Sequence, residues 1–285
     1  MKKTKQIFST ILAVILSGSM YFSASTTVLA KADEPEDIRY GKVEGNQDIS
    51  TCDVYTDETI TYTSKEDTYQ ETTNGAPFYQ SPSSLTNNCG SVAGATVIGF
   101  YDKYYEDLIP NYVSYYPATG VYKRSDSTYV PALISELYTL MRTNEDDVGV
   151  SESDCLDGLQ EYVEGKNRSI SYSSLKSWGT FNRSAYTTAL ANNKPALLFC
   201  NTNVKLTKIV PNVNGNSDLI VVETLPSNHI VVAYGLLTIK YYNGSNNFRT
   251  DYYVRVATGL TSTSVCHINI GSINWLNSAY TVNIS

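Results

Sequence analysis

The stretch from Asn87 to Tyr105 constrains this chain more than any other. A polar loop, Asn87-Asn88, gives way at Cys89-Gly90 to a run of small and apolar residues, Ser91 to Tyr105. Ala93, Val97, Phe100/Tyr101 and Tyr104 recur three or four apart, the spacing that predicts a helix with one inward face. Cys89 falls in its first turn. Unpaired backbone N–H groups and the positive end of the helix dipole there favour a thiolate over a thiol, and the thiolate is the attacking species. Cysteine is also among the most buried residue types, so position alone would as readily mean packing. The rest of the chain has to supply partners.

The chain opens on Lys2-Lys3-Thr4-Lys5, continues through the apolar Ile7 to Tyr21 and ends its small-residue stretch at Ala30-Lys31-Ala32. This is the pattern of a secretory signal peptide over residues 1–30, cut after Ala30 or Ala32. Its apolar middle is too short and too Ser/Gly-broken to span a bilayer comfortably. An exported protein with no membrane association after signal removal is expected, and about 255 residues remain to bury a core.

Charge is unevenly spread. Lys31 to Glu71 carries four basic and twelve acidic residues, against 14 and 16 in Thr72 to Ser285. Asp33-Glu34-Pro35-Glu36-Asp37 and the Thr/Asp/Tyr-rich Thr51 to Thr73 show little apolar periodicity, so residues 31–72 read as a loosely structured acidic tail or pro-segment. Residues 73–285 read as the folded domain. No basic stripe or aromatic-basic interleaving offers a nucleic-acid surface. Five cysteines, Cys52, Cys89, Cys155, Cys200 and Cys266, are too widely spaced for a small disulfide scaffold. No Cys-x-x-Cys or Cys/His cluster suggests zinc, so no metal is expected; the other four read as buried thiols rather than ligands, and their pairing in disulfides is open at this point.

Ahead of the central helix, Ala76-Pro77-Phe78-Tyr79-Gln80-Ser81-Pro82 is extended and Pro-punctuated. Gln80 lies nine positions before Cys89, far enough for the loop to fold back. A Gln or Asn amide donating beside the Cys89 N–H would stabilise the oxyanion of an attacked carbonyl, and Gln80, Asn87 and Asn88 all qualify. Amides in such loops more commonly cap or turn the chain. Beyond Pro110 a tyrosine-rich stretch, Asn111 to Val130, reads as a packed loop. Helices follow from Pro131, with Leu133, Ile134, Leu137, Leu140 and Met141 on one face, and near Ser153 to Lys166, with an N-cap at Ser151 or Ser153.

From about Ser169 the pattern turns to strands. Ile170 to Leu175, Pro195 to Cys200, Leu219 to Val222 and Ile230 to Leu237 read as strands and Ser184 to Asn192 as a short helix. Asn243-Gly244-Ser245-Asn246-Asn247 joins Ile239-Tyr242 to Tyr252-Val256 as a hairpin, and Cys266 to Ile270 and Ala279 to Ile284 close the chain. The fold class is α+β, helical in front and antiparallel sheet behind. Of two histidines, His267 sits in an alternating strand with no partner in view. His229 heads the apolar strand Ile230-Val231-Val232-Ala233-Tyr234-Gly235. A histidine there can face a helix-borne cysteine, and a Cys–His pair can hold thiolate and imidazolium together near neutrality.

Three motifs in this order, Pro77-Phe78-Tyr79-Gln80, Asn88-Cys89-Gly90-Ser91-Val92-Ala93-Gly94-Ala95 running to Gly99-Phe100-Tyr101-Asp102, and His229 through Gly235, resemble the papain fold. Their arrangement is similar to secreted bacterial relatives of the bacteriocin-leader (double-glycine) cysteine peptidases. The resemblance covers about a tenth of the chain. It implies a helical lobe carrying the nucleophile, a sheet lobe carrying the histidine and a cleft between them. Cys89 would match the nucleophile, His229 the general base and acid, and Gln80 the oxyanion-binding glutamine. The implied partner is a peptide or protein substrate, with no cofactor. The chain departs from that pattern at the third member: where the family places Asp or Asn, Val254-Arg255-Val256-Ala257 leads into Thr258, whose hydroxyl would hold an imidazolium less strongly than a carboxylate. Ser262, Asn269 and Asn274 are further polar groups nearby. A catalytically weak exported binding protein on the same fold, and other acyl chemistry such as transpeptidation or peptidoglycan amide hydrolysis, stay open as alternatives.

Overall fold

The computed structural model describes residues 38–41, 54–82, 84–123, 126–145, 147–212, 215–225, 227–260 and 265–285. The signal peptide, the acidic run Asp33–Asp37, Cys52 and Ser262 lie outside the described residues. Three strands come first: β1 (Arg39–Tyr40), β2 (Val54–Thr61) and β3 (Ser64–Glu71). Then come α1 (Cys89–Asp102), β4 (Tyr115–Tyr116), β5 (Val121–Tyr122), α2 (Tyr129–Leu140), β6 (Val150–Ser151) and α3 (Glu152–Gly165). They are followed by β7 (Ile170–Ser174), β8 (Lys176–Ser177), β9 (Thr180–Phe181), α4 (Arg183–Ala191) and β10 (Ala196–Cys200). The last six strands are β11 (Lys205–Pro211), β12 (Ser217–Thr224), β13 (His229–Asn243), β14 (Asn246–Ala257), β15 (Val265–Asn269) and β16 (Leu276–Ile284). Among the described residues no helix is long and apolar enough to cross a membrane.

The fold is mixed α+β, built on one antiparallel sheet ordered β2-β12-β11-β15-β14-β13-β10-β16-β7, with β3 also paired to β13. Strand alternation sends side chains to two faces. Leu197, Phe199, Ile230, Val232 and Tyr234 join the core shared with α1, α2 and α3. Ala196, Leu198, Cys200, Val231 and Ala233 join a second core with Tyr186 and Leu190 of α4. Two runs read separately in the sequence, Ile230 to Leu237 and Ile239 to Tyr242, are one long strand: β13 pairs with β10 at its start and with β3 from Gly235 on. The hairpin at Gly244 joins β13 to β14 as the turn residues predict.

Helix α1 departs from the one-faced expectation, since every residue from Cys89 to Asp102 is buried. Its glycines explain how. A Cβ on Gly90 would lie 2.9 Å from Val150 Cγ1, one on Gly94 would lie 2.9 Å from Met141 Cε, and one on Gly99 would collide with the Tyr79 ring. Small residues on several sides let neighbours close around the whole helix.

The acidic stretch read as loosely structured through Thr73 is ordered sheet between Val54 and Glu71. β2 pairs with β12, and β3 lies along β13 from Gly235 to Tyr242. Periodicity missed it because these strands are largely solvent-facing and bury little beyond Ile60. Their acids meet bases elsewhere in the sheet: Arg249 chelates Glu58, Lys205 meets Asp57 at 2.8 Å, and Arg255 meets Glu71 at 3.4 Å. Between Val54 and Glu71 the negative charge is thus answered by bases of the sheet.

Candidate active site

Cys89 is set by its own helix and by the arm that precedes it. The Ser91 hydroxyl donates to Asn88 O (2.9 Å), and Val92 N–H donates to the same carbonyl (3.0 Å), which starts α1 at Cys89. The Asn88 amide is occupied with loop geometry: its Oδ1 accepts from Ser81 Oγ (2.9 Å) and its Nδ2 donates to Leu85 O (3.2 Å). Asn87 takes a left-handed φ of 58° and donates through Nδ2 to Asn144 Oδ1 at 3.0 Å. Two of the three amides that could serve an oxyanion are therefore structural. Gln80 is the exposed one. Its arm is held by buried Tyr79 against Gly99, by an edge contact of Phe78 with the Tyr234 ring, and by Ser81 N–H donating to Gly259 O (3.1 Å).

His229 opens β13 opposite Cys200 of β10 and is buried. Its Nε2 lies 2.7 Å from the backbone oxygen of Thr258, just beyond β14. A carbonyl can only accept, so Nε2 carries the proton and Nδ1 is left as the acceptor. Burial pushes the imidazole below its usual range, and the Thr258 hydrogen bond offsets part of that. The sequence offers the Thr258 hydroxyl as one of several polar groups near the ring; the bond to the ring is made by the Thr258 carbonyl. The hydroxyl accepts from Leu260 N–H at 3.2 Å instead. Asn269 is turned to Gly271 and the Asn274 amide oxygen to Ser272 Oγ, so neither orients the ring.

Burial raises the Cys89 thiol to about 12, while the backbone N–H groups of Ile230, Gly90 and Cys89 itself pull it down. The N–H of Ile230 belongs to the residue after His229, so the sulfur lies against the first step of the histidine's strand. No hydrogen bond joins the sulfur to the ring in this conformation. A low-dielectric surrounding disfavours the charged form of each group.

Gly259 ties the two sides together. It has a φ of +76°, and a Cβ there would lie 2.8 Å from Val92 Cγ1 of α1. Because no side chain intervenes, the turn that carries the Thr258 carbonyl can sit directly against the cysteine's helix.

One contributor to the site left no sequence signal. Gly41 N–H donates to Asn228 O (2.9 Å), and Asn228 Nδ2 donates to Arg39 O (3.0 Å). The segment Arg39 to Gly41 thus bonds to the residue immediately before His229. It also pairs with β6, Arg39 opposite Ser151 and Tyr40 opposite Val150.

Among the described residues the three other cysteines form no disulfide. Cys155, Cys200 and Cys266 are buried free thiols, each pushed up by desolvation. His267 packs edge-on to Tyr253, with burial and Arg255 lowering it to about 4. Among the described residues no group of three His, Cys, Asp or Glu side chains is placed to hold a metal ion. A separate hollow of about 380 Å³, lined among others by Asp57, Lys205, Tyr253 and Trp275, shares no residue with Cys89 and His229. No protein-family model, curated protein or solved structure matches this chain.

Proposed function

We propose that this protein is an exported cysteine peptidase with a papain-like arrangement, in which Cys89 is the nucleophile, His229 the general base and acid, and Gln80 an oxyanion donor. The observation that carries the reading is the 2.7 Å bond from His229 Nε2 to Thr258 O. It leaves Nδ1 as the proton acceptor, on a residue whose neighbour's N–H reaches the Cys89 sulfur. Entry of substrate and water into the cleft lowers the cost of charge, and the proton passes from Cys89 to Nδ1. The thiolate then attacks a peptide carbonyl while the Cys89 N–H and the Gln80 amide receive the oxyanion. His229 protonates the leaving amine, and water releases the acyl group. The chemistry requires no cofactor. Export rests on the basic start and apolar run of Lys2 to Ala32.

The test is hydrolysis of a peptide library by the wild type, Cys89→Ala and His229→Ala forms, with folding followed by circular dichroism. Cleavage by the wild type alone supports the reading. A thiol raised to about 12 and unbonded to the histidine favours a second one, a binding protein that keeps the fold without turnover. Peptide capture without cleavage by the wild type would select it.

A further inference from the structure

The hollow of about 380 Å³ lies on the large sheet, between residues of β2, β11, β12, β14 and β15 and the loop from Ser272 to Trp275. Its volume is within the range of small-ligand sites. The floor is carbon. Ile220, Val222 and Ile268 are buried apolar side chains, and the polar hydrogens of the other floor residues are already given away. The Tyr253 hydroxyl donates to Asp251 Oδ2 (3.2 Å) and the Thr207 hydroxyl to Lys205 O (3.3 Å). Trp275 Nε1 donates to the backbone oxygens of Asn269 (3.1 Å) and Ser272 (2.6 Å). What these residues offer a ligand is ring and methyl surface.

The rim is polar and electrically balanced. Lys205 Nζ meets Asp57 at 2.8 Å, and Arg249 chelates Glu58. An anionic ligand would have to displace Asp57 from Lys205, and a cationic one would have to displace an ammonium or a guanidinium, so a neutral ligand is favoured over either. The hydrogen-bonding capacity left over is that of amides. Asn203 and Asn274 are exposed. Among the described residues the Asn203 side chain makes no hydrogen bond, and Asn274 commits only its Oδ1, which accepts from Ser272 Oγ at 3.3 Å. An amide both donates and accepts, and a paired carboxylate keeps lone pairs for further donors.

We infer that this hollow is a binding site for a neutral saccharide, the pyranose units of a glycan. A pyranose has a C–H face, which matches the ring-and-methyl floor. Around its edge it carries hydroxyls, each a donor and an acceptor, which match the amides and paired carboxylates of the rim. Laying the C–H face on an aromatic surface removes apolar area from water, and the hydroxyls regain at the rim the hydrogen bonds they had with solvent. The inference does not rest on the peptidase reading, because neither Cys89 nor His229 lines the hollow. The site gives the protein a means of attachment to a glycan, apart from any reaction at the dyad.

The chain has two tryptophans, and Trp178 is fully exposed at the turn between β8 and β9. Trp178→Phe therefore leaves Trp275 as the reporter of the hollow. In that background the full chain is titrated to about 10 mM, a range that covers weak single-site binding, with cellohexaose, chitohexaose, maltohexaose and mannohexaose, and separately with sodium sulfate at constant ionic strength. At least one hexaose is expected to change Trp275 emission saturably, and sulfate to leave it unchanged. Asn203→Ala combined with Asn274→Ala is expected to weaken that binding at least about tenfold, the effect of removing two hydrogen-bonding amides, with far-UV circular dichroism unchanged. Ser272→Phe, which sets a ring at the mouth, is expected to give the same loss and decides the matter should the double variant misfold. No saturable change with any of the four hexaoses would overturn the inference. Hexaose binding undiminished in the folded variants, or a saturable response to sulfate that no hexaose gives, would overturn it as well.

Discussion

Cys89 and His229 are held by opposite means. The cysteine's place is set by neighbours in sequence: Asn88, Ser91 and Val92 start the helix, and Ser81 closes the loop onto Asn88. The histidine's place is set at long range, by the backbone oxygen of Thr258 across the β13–β14 hairpin. A local anchor follows from residue types. A long-range backbone anchor follows from where two strands end, and tolerates many residue types at the position that supplies it.

The largest effect should come from the pair itself. Cys89→Ala and His229→Ala are each expected to lower kcat/KM for peptide hydrolysis by at least about a thousandfold, with far-UV circular dichroism unchanged. Retention of activity in His229→Ala would break the comparison at its root, because only one side would then matter.

Next comes the ionisation of the buried thiol. With Cys89 raised to about 12, its thiolate is scarce at neutral pH. In the wild-type protein, iodoacetamide alkylation of Cys89 should rise about tenfold per pH unit between pH 7 and 10, since the rate follows the thiolate fraction below the pKa. A plateau already at pH 7 would mean that the thiolate is stabilised in the folded protein.

Gly259 tests the joint between the two sides. Gly259→Val places a β-branched residue at a φ of +76° and against Val92. A loss of about 2–4 kcal/mol in urea unfolding is expected from backbone strain plus overpacking. A change under 1 kcal/mol, on the order of what a surface substitution costs, would show that the turn and α1 are not in register as described.

The smallest effect should fall on Thr258, and it separates carbonyl from hydroxyl. Thr258→Ala keeps the carbonyl that accepts from His229 and loses the hydroxyl that accepts from Leu260 N–H. Stability should fall by about 1 kcal/mol, the net value of a typical hydrogen bond, and kcat/KM by less than about threefold, under 0.7 kcal/mol of transition-state stabilisation. A hundredfold drop in kcat/KM would return the anchoring role to the side chain.

The same contrast explains what the sequence made legible. The start of α1, the strand headed by His229 and the Gly244 hairpin are written in residue type and spacing. Among the three amides the resemblance alone singles out Gln80, and packing adds only that Asn87 and Asn88, which carry the same chemistry, are engaged in loop hydrogen bonds. The Thr258 atom that meets the ring is a backbone oxygen, one that every residue possesses. β2 and β3 escaped periodicity because polar, exposed strands alternate little. Arg39 to Gly41 escaped because its partners lie more than a hundred residues away. Nothing local marks such a segment except the glycine at its end.

The central claim, that Cys89 acts through His229, is tested most directly by an E-64-type epoxide at pH 6.5, with the adduct located by peptide mass mapping. Labelling of Cys89 in the wild type, at least about 100-fold slower in His229→Ala, is the result expected for a thiol activated by a neighbouring base. Equal labelling rates at Cys89 in the two proteins would contradict it.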